Sequence, residues 1–279
     1  MPARTPIVTE GNLRATVIPQ HSSLYGAISH GEIIDTTRKE LSTVGLRISK
    51  EIYKSSIDGQ IAQGIYHLTH SDDPEMGLMF AWANSYNKTM KFKCASGAHV
   101  FVCSNGMISG DLANYSRKHF GKSALADAIL SIQKQLGDAY IHYKNLIAAK
   151  EALKNITLSQ KDRSSLLGIM YADKEMLGLS QVGVVKREMD TPSFNYNADK
   201  DSAWAFYNHV TLALKNSHPF DYITNHQELH TMFINEFGIL VNPTNSWDPT
   251  NPDVQEEEQE DQTVELVQET SDRVVIDAI

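Results

Sequence analysis

The strongest constraint on how this chain can fold is a change of hydrophobic period partway along it. From Gly45 to Gly110 the apolar and β-branched residues fall in short runs separated by turn signals. Leu46–Tyr53 alternates imperfectly, Asp58-Gly59 is a hairpin turn signal, and Ile61–Thr69 follows as a second strand. After the polar break Ser71-Asp72-Asp73-Pro74, Met76–Asn84 and Ala98–Cys103 are apolar enough for inner strands. From Gly121 onward apolar residues recur at three- and four-residue steps instead. Ser123 opens a helix through Leu125, Ile129, Ile132, Leu136, Tyr143 and Ile147.

Helix boundaries follow from capping chemistry. Asp35 is the expected N-cap of a short helix over Thr36–Val44 that Gly45 ends, and Ser159 with Asp162 three residues on caps another. Asp201 or Ser202 starts a third helix, and Asn225–Phe237 forms a fourth that stops at Gly238. The expected fold is therefore α+β, with an antiparallel sheet in the N-terminal half and a helical C-terminal half. The sheet region covers 1–121 and the helical region 122–241, packed as one unit. Asn242–Pro252 is rich in proline and asparagine and reads as a linker, so 242–279 is expected to be linker and disordered acidic tail.

Charge sharpens this division. The 279-residue chain carries a formal net charge of -9. All of that imbalance lies in residues 251–279, where ten acidic side chains face one arginine, so the rest of the chain is neutral. An acidic average therefore does not exclude a nucleic-acid partner. Within the neutral body, Asn84–Lys122 holds six basic side chains against Asp111 alone. Lys88, Lys91, Lys93, Arg117 and Lys118 are the candidate phosphate contacts in this stretch, and Tyr86, Phe92 and Tyr115 the candidate stacking rings. The alternative for such a stretch is a lysine-protected strand edge over core aromatics, with Phe101 and Phe120 in the core.

Other chemistries find less support. His226-Gln-Glu-Leu-His230 has the i, i+4 spacing of a zinc helix, but Glu228 is misplaced for the metalloprotease motif, and polar surface histidines are expected. His67 and His70, three apart on a strand, should face opposite sides. Cys94 and Cys103 are expected as buried reduced thiols, with Cys103 inside the apolar run Val100–Cys103. No phosphate loop, dinucleotide fingerprint or nucleophile elbow occurs, so no catalytic residue, metal or cofactor is assigned. Asn105-Gly106 is a tight-turn signal with a structural role. No apolar run reaches the ~18 residues needed to cross a bilayer, and Met1–Gln20 does not read as a secretion signal, so a cytoplasmic protein is expected.

The stretch Trp82–Phe92, the run Gly97–Ile108 containing Val-Cys-Ser-Asn-Gly, and Arg117-Lys118-His119 together resemble a family of phage- and plasmid-encoded proteins of unknown function. The match covers roughly Ile18 to Gly121, and Asn87 stands where that family often has aspartate. The resemblance implies a mobile-element setting, and by analogy with phage annealing proteins a host-cytoplasmic DNA-metabolism protein that binds single-stranded DNA for annealing or recombination. The alternative is an accessory protein that inhibits a host defence or nuclease factor through protein contacts and its acidic tail. The tail closes on Val274, Val275, Ile276 and Ile279, an apolar end suited to a partner's pocket. As a flexible coil its 29 residues span roughly 30 Å, enough to fold back over a basic strip. Homo-oligomerisation would also suit annealing.

Overall fold

The computed structural model describes residues 6–20, 26–109, 116–117 and 124–240. The expected Ser123 cap, Tyr115, Lys118 and the tail lie outside the described residues. Strands β1 (Ile7–Val8), β2 (Ile48–Ser55), β3 (Ile61–Leu68), β4 (Met76–Ser85), β5 (Phe92–Val100) and β6 (Gly106–Ile108) pair in that order, and β7 (Ser116–Arg117) adds to the other half of β5. All pairings are antiparallel. Helices α1 (Glu10–Ala15) and α2 (His30–Thr43) precede the main strands. After the sheet come α3 (Ala124–Gly137), α4 (Ala139–Lys154), α5 (Gln160–Gly168), α6 (Leu179–Asp190), α7 (Ala203–Leu214) and α8 (Tyr222–Glu236). The α+β expectation holds, with the sheet in the N-terminal half and these helices in the other.

Several boundaries differ from the sequence expectation, each for a local reason. Helix α2 begins six residues before Thr36, because Ser29 and Glu32 form a reciprocal capping box; Asp35 lies inside the helix and pairs with Arg14. Gly45, at φ 75°, ends it as expected. Strand β5 starts at Phe92 and stops at Val100, so Cys103 lies in a turn beyond it. The long helical pattern is two helices broken at Asp138. Ser159 with Asp162, and Ser202, cap α5 and α7 as read.

The sheet is buried on both faces, since β3 and β4 expose no residue. The inner face carries Tyr66, Phe80, Trp82, Phe92 and Cys94. It belongs to a hydrophobic cluster that also takes in Ile33 and Leu41 of α2, Tyr143 and Leu153 of α4, Phe206 and Tyr207 of α7, and Phe233 of α8. The core thus runs through both halves of the chain. The outer face has a smaller cluster, in which Ile61, Ile65, Met79, Ala81 and Ala95 meet Tyr222 and Ile223 at the start of α8. No helix among the described residues is long and apolar enough to cross a membrane.

Candidate nucleic-acid interface

The strand register decides which side chains share the outer face. Lys54, Gln63, Ala83 and Lys93 lie opposite one another across β2, β3, β4 and β5, and Ser116 of β7 continues that row. Two residues along is an apolar row, Ile52, Ile65, Ala81 and Ala95. The next row is Lys50, His67, Met79, Gly97 and Ile108, and beside it runs Gly77, His99 and Gly106. Basic residues therefore occupy both ends of the outer face, and the apolar row between them seats α8.

At the Lys93 end, Lys93 Nζ donates to Thr224 Oγ1 at 2.9 Å and lies 5.2 Å from the centroid of the Phe220 ring. Desolvation lowers the pKa of Lys93, and Asp221 and Glu228 oppose that shift. Phe220 keeps 37% of its surface exposed. Lys88 and Lys91 are exposed on the adjoining β4–β5 hairpin, where Lys88 adopts φ 64°. Arg117 pairs with Phe92 through the backbone of β7, which brings it to the same corner.

At the other end the rings of His67 and His99 stack at 3.8 Å, and Phe101 meets His99 edge-on at 5.3 Å. Phe101 is 46% exposed, and Lys50 beside this stack is exposed too. Burial lowers the pKa of His67 to about 3, with His99, Lys50 and Lys215 adding repulsion; His99 falls to about 4, again chiefly by desolvation. Both imidazoles are thus neutral at neutral pH, a flat uncharged stack flanked by lysines. Lys215, just after α7, links the two ends: its Nζ donates to the Cys103 carbonyl, while its own carbonyl accepts from Lys54 Nζ. Among the described residues, no carboxylate forms an ion pair with Lys50, Lys54 or Lys215.

The structure separates the sequence candidates. Lys88, Lys91, Lys93 and the backbone of Arg117 come together at one corner of the sheet. Tyr86 and Phe92, expected as stacking platforms, are 1% exposed and present no ring to solvent. Tyr86 stacks on His30 at 3.9 Å, and its hydroxyl accepts the His30 N–H at 2.6 Å; Asn84 donates to the Ile28 carbonyl at 2.9 Å. The Asn84–Asn87 segment is thus a latch that fixes the start of α2 to the sheet. Phe220 and Phe101 are the exposed rings instead. Phe220 was out of reach of a local scan because α7–α8 brings it to β5 from 127 positions beyond Lys93. Phe101, a core residue under the strand-edge alternative, is 46% exposed because β5 ends at Val100.

The remaining chemical candidates resolve as structure. In the Cys103–Gly106 turn it is Ser104, at φ 56°, that takes the left-handed conformation, rather than Asn105 or Gly106. Asn105 is buried and donates to the Asn208 carbonyl at 3.0 Å, tying the turn to α7. A Cβ on Gly106 would lie 2.5 Å from Tyr222 Oη, so this glycine admits α8 to the sheet. Cys94 and Cys103 are buried free thiols, and desolvation pushes Cys103 up to about 11, far from a thiolate nucleophile. His226 and His230, expected on the surface, are both buried and pushed down to about 4 by desolvation. His67 and His70 do diverge: His70 turns to Asp72 at 3.3 Å. No group of three potential metal ligands forms among the described residues.

Neither curated proteins nor solved structures include a match to this chain. A family model described as a domain of unknown function, DUF932, matches residues 33–266, which span the sheet from within α2 and every helix from α3 to α8. The chain belongs to the DUF932 family.

Proposed function

We propose that the outer face of the sheet binds single-stranded nucleic acid, in the DNA metabolism of a phage or plasmid, with strand annealing or recombination as the process served. The observation that carries this reading is the pairing of an exposed phenylalanine with lysine at each end of one face: Phe220 with Lys93, Lys88 and Lys91, and Phe101, over the neutral His67–His99 stack, with Lys50. Single strands are held by cations that follow the phosphates and by ring faces that accept any base. Strand β5 has nine residues, so at ~3.4 Å each the two ends lie roughly 30 Å apart. That distance suits a site of several nucleotides. The mobile-element setting rests on the sequence resemblance.

The test is a fluorescence-anisotropy titration of a labelled oligothymidine with the full chain and with Phe101→Ala and Phe220→Ala. Each ring supplies ~1–3 kcal/mol of stacking, so each variant should bind at least about fivefold more weakly. Because both rings are substantially exposed, the thermal midpoint should hardly move. Unchanged affinity in both variants would remove the stacking role.

A further inference from the structure

Beneath the α7–α8 connection the outer face closes over a group of polar side chains whose bonding capacity is unused. Gln63 is 0% exposed, and neither its amide nitrogen nor its amide oxygen has a partner among the described residues. Directly across from it on β2 is Lys54, and side chains so paired on an antiparallel ladder have Cβ atoms ~4.5–5.5 Å apart. Lys54 is buried, and its Nζ donates to the Lys215 carbonyl and lies 5.3 Å from the centroid of the Tyr222 ring. One turn along α8 the His226 ring packs 4.1 Å from that of Tyr222. His226 Nδ1 is 2.8 Å from the Tyr222 carbonyl, while its Nε2 is buried with no partner among the described residues. Strand pairing, the Lys54 bond and the Tyr222 rings therefore bring Lys54, Gln63, Lys215 and His226 into one neighbourhood.

The donor and acceptor pattern of this neighbourhood is specific. A carbonyl can only accept, so His226 Nδ1 carries the proton, and in the neutral ring Nε2 is left as an acceptor. Neutrality follows from burial, which holds the His226 pKa near 4, with Lys54 and Lys215 adding repulsion. Each ammonium spends one proton on a carbonyl and keeps two; the Gln63 amide offers two more donors and one acceptor. The two cations repel each other, since Lys54 is held down to about 8 by desolvation first and by Lys215 second, and no carboxylate contributes to that shift. A buried and a half-buried cation held close together, with no carboxylate paired to either among the described residues, favour an anion. The acceptor left on His226 Nε2 is met when this anion also carries a proton to donate.

We propose that Lys54, Gln63, Lys215 and His226 form a pocket for a hydrogen-bearing phosphate group, inorganic phosphate or a phosphate monoester such as the terminal phosphate of a nucleotide or strand. As the monoanion, the form that prevails below the second phosphate pKa of about 6, such a group offers oxygens to the two ammoniums and the Gln63 amide, and an O–H to His226 Nε2, so its binding tightens as pH falls toward 6. A phosphodiester has no O–H to give. The pocket therefore selects strand ends or mononucleotides over the interior of a strand. This site is separate from the exposed basic ends of the sheet, and it stands whether or not those ends bind a strand.

The experiment is calorimetric titration of the full chain, at fixed ionic strength, with inorganic phosphate, methyl phosphate and dimethyl phosphate, repeated on Lys54→Met and Gln63→Leu. Inorganic phosphate and methyl phosphate should bind saturably, and dimethyl phosphate at least tenfold more weakly. Tighter binding of methyl phosphate than of inorganic phosphate would identify a monoester as the natural source, and the reverse order the free ion. Both variants should lose at least tenfold in phosphate affinity. Each removes a buried polar group whose desolvation the fold offsets only in part, so their thermal midpoints without ligand should equal or exceed that of the parent. If either variant fails to fold, the monoester-to-diester ratio of the unaltered chain still decides. The proposal is overturned if no phosphate binds saturably, if the diester binds as well as the monoester, or if folded Lys54→Met retains the parent's affinity. Oligonucleotide titration of Lys50, Lys88 and Lys91 variants reads the exposed ends independently, so a failure of one site is distinguishable from a failure of the other.

Discussion

At the scale of single residues, strand parity decides which groups reach the outer face of the sheet. Phe92, Lys93 and Cys94 alternate between the two sides of β5, so the phenylalanine goes to the core with Cys94 while Lys93 goes to the outer face. Gly106 shows how tightly that face is closed. A methyl group there would meet Tyr222 Oη at 2.5 Å, on a residue that is 3% exposed and packed into the outer cluster. Gly106→Ala should therefore cost about 1–3 kcal/mol of stability as α8 is pushed off β6. Urea unfolding at neutral pH measures this directly; an unchanged midpoint would mean that Tyr222 has room to move. The alternation around Phe92 was available in the sequence, but beginning the strand at Ala98 hid it. With the strand started at Phe92, the same rule puts Phe92 inside and Lys93 out, while Tyr86, just beyond β4, is buried against His30. Nothing local announces that Phe220 joins them, because that contact depends on how α7 and α8 fold back.

Among the elements, the hinge between sheet and helices is a buried charge cluster. Lys150 of α4 is 1% exposed; its Nζ contacts Asp73 at 2.7 Å, Glu151 at 2.9 Å and Glu75 at 3.4 Å. Asp73 also accepts the N–H groups of Glu75 and Met76, which sets the start of β4. Lys150→Ala leaves the buried Asp73 carboxylate unpaired and should cost about 3–5 kcal/mol. The double variant Lys150→Met with Asp73→Asn should recover most of that loss, since no charge is then stranded. A double variant as unstable as the single one would show that packing of the lysine stem, not charge, holds the joint. Element identity was largely legible in the sequence because period and capping are local signals. Helices α2, α5, α7 and α8 and strands β2 to β4 all follow from them, and Gly45 and Gly238 take the positive φ expected at helix ends. The sequence signals missed α1, α6, the short strand β6 and the two-residue strands β1 and β7, whose patterns are weak or too short to repeat. They also missed the burial of the His226 and His230 face, which depends on α8 being covered on two sides.

For the molecule as a whole, five buried histidines set the response to acid. His67 is held near 3, and His99, His209, His226 and His230 near 4, in each case first by desolvation. In the unfolded chain each titrates near 6.5. Between pH 6.5 and 4 the unfolded state therefore binds more protons than the folded one, and stability falls as pH falls, by up to ~1.4 kcal/mol per pH unit for each histidine. The urea midpoint should drop steeply from pH 7 to pH 5. A flat profile would show that these rings are not held neutral in the fold. The formal charge of -9 gives no hint of this behaviour, nor of the basic ends of the outer face, because it belongs to residues 251–279.

The central claim is that the cations of this face meet phosphates, and salt dependence tests it most directly. Contacts by Lys50, Lys88, Lys91 and Lys93 would each release about 0.7 of a counterion from a single strand, so log K for oligothymidine should fall with log salt at a slope of about -3. Converting Lys88 and Lys91 together to glutamine should flatten that slope by about 1.4, with the fold unchanged because both side chains are exposed. An absence of binding at low salt, or a slope that the double variant leaves intact, would contradict it.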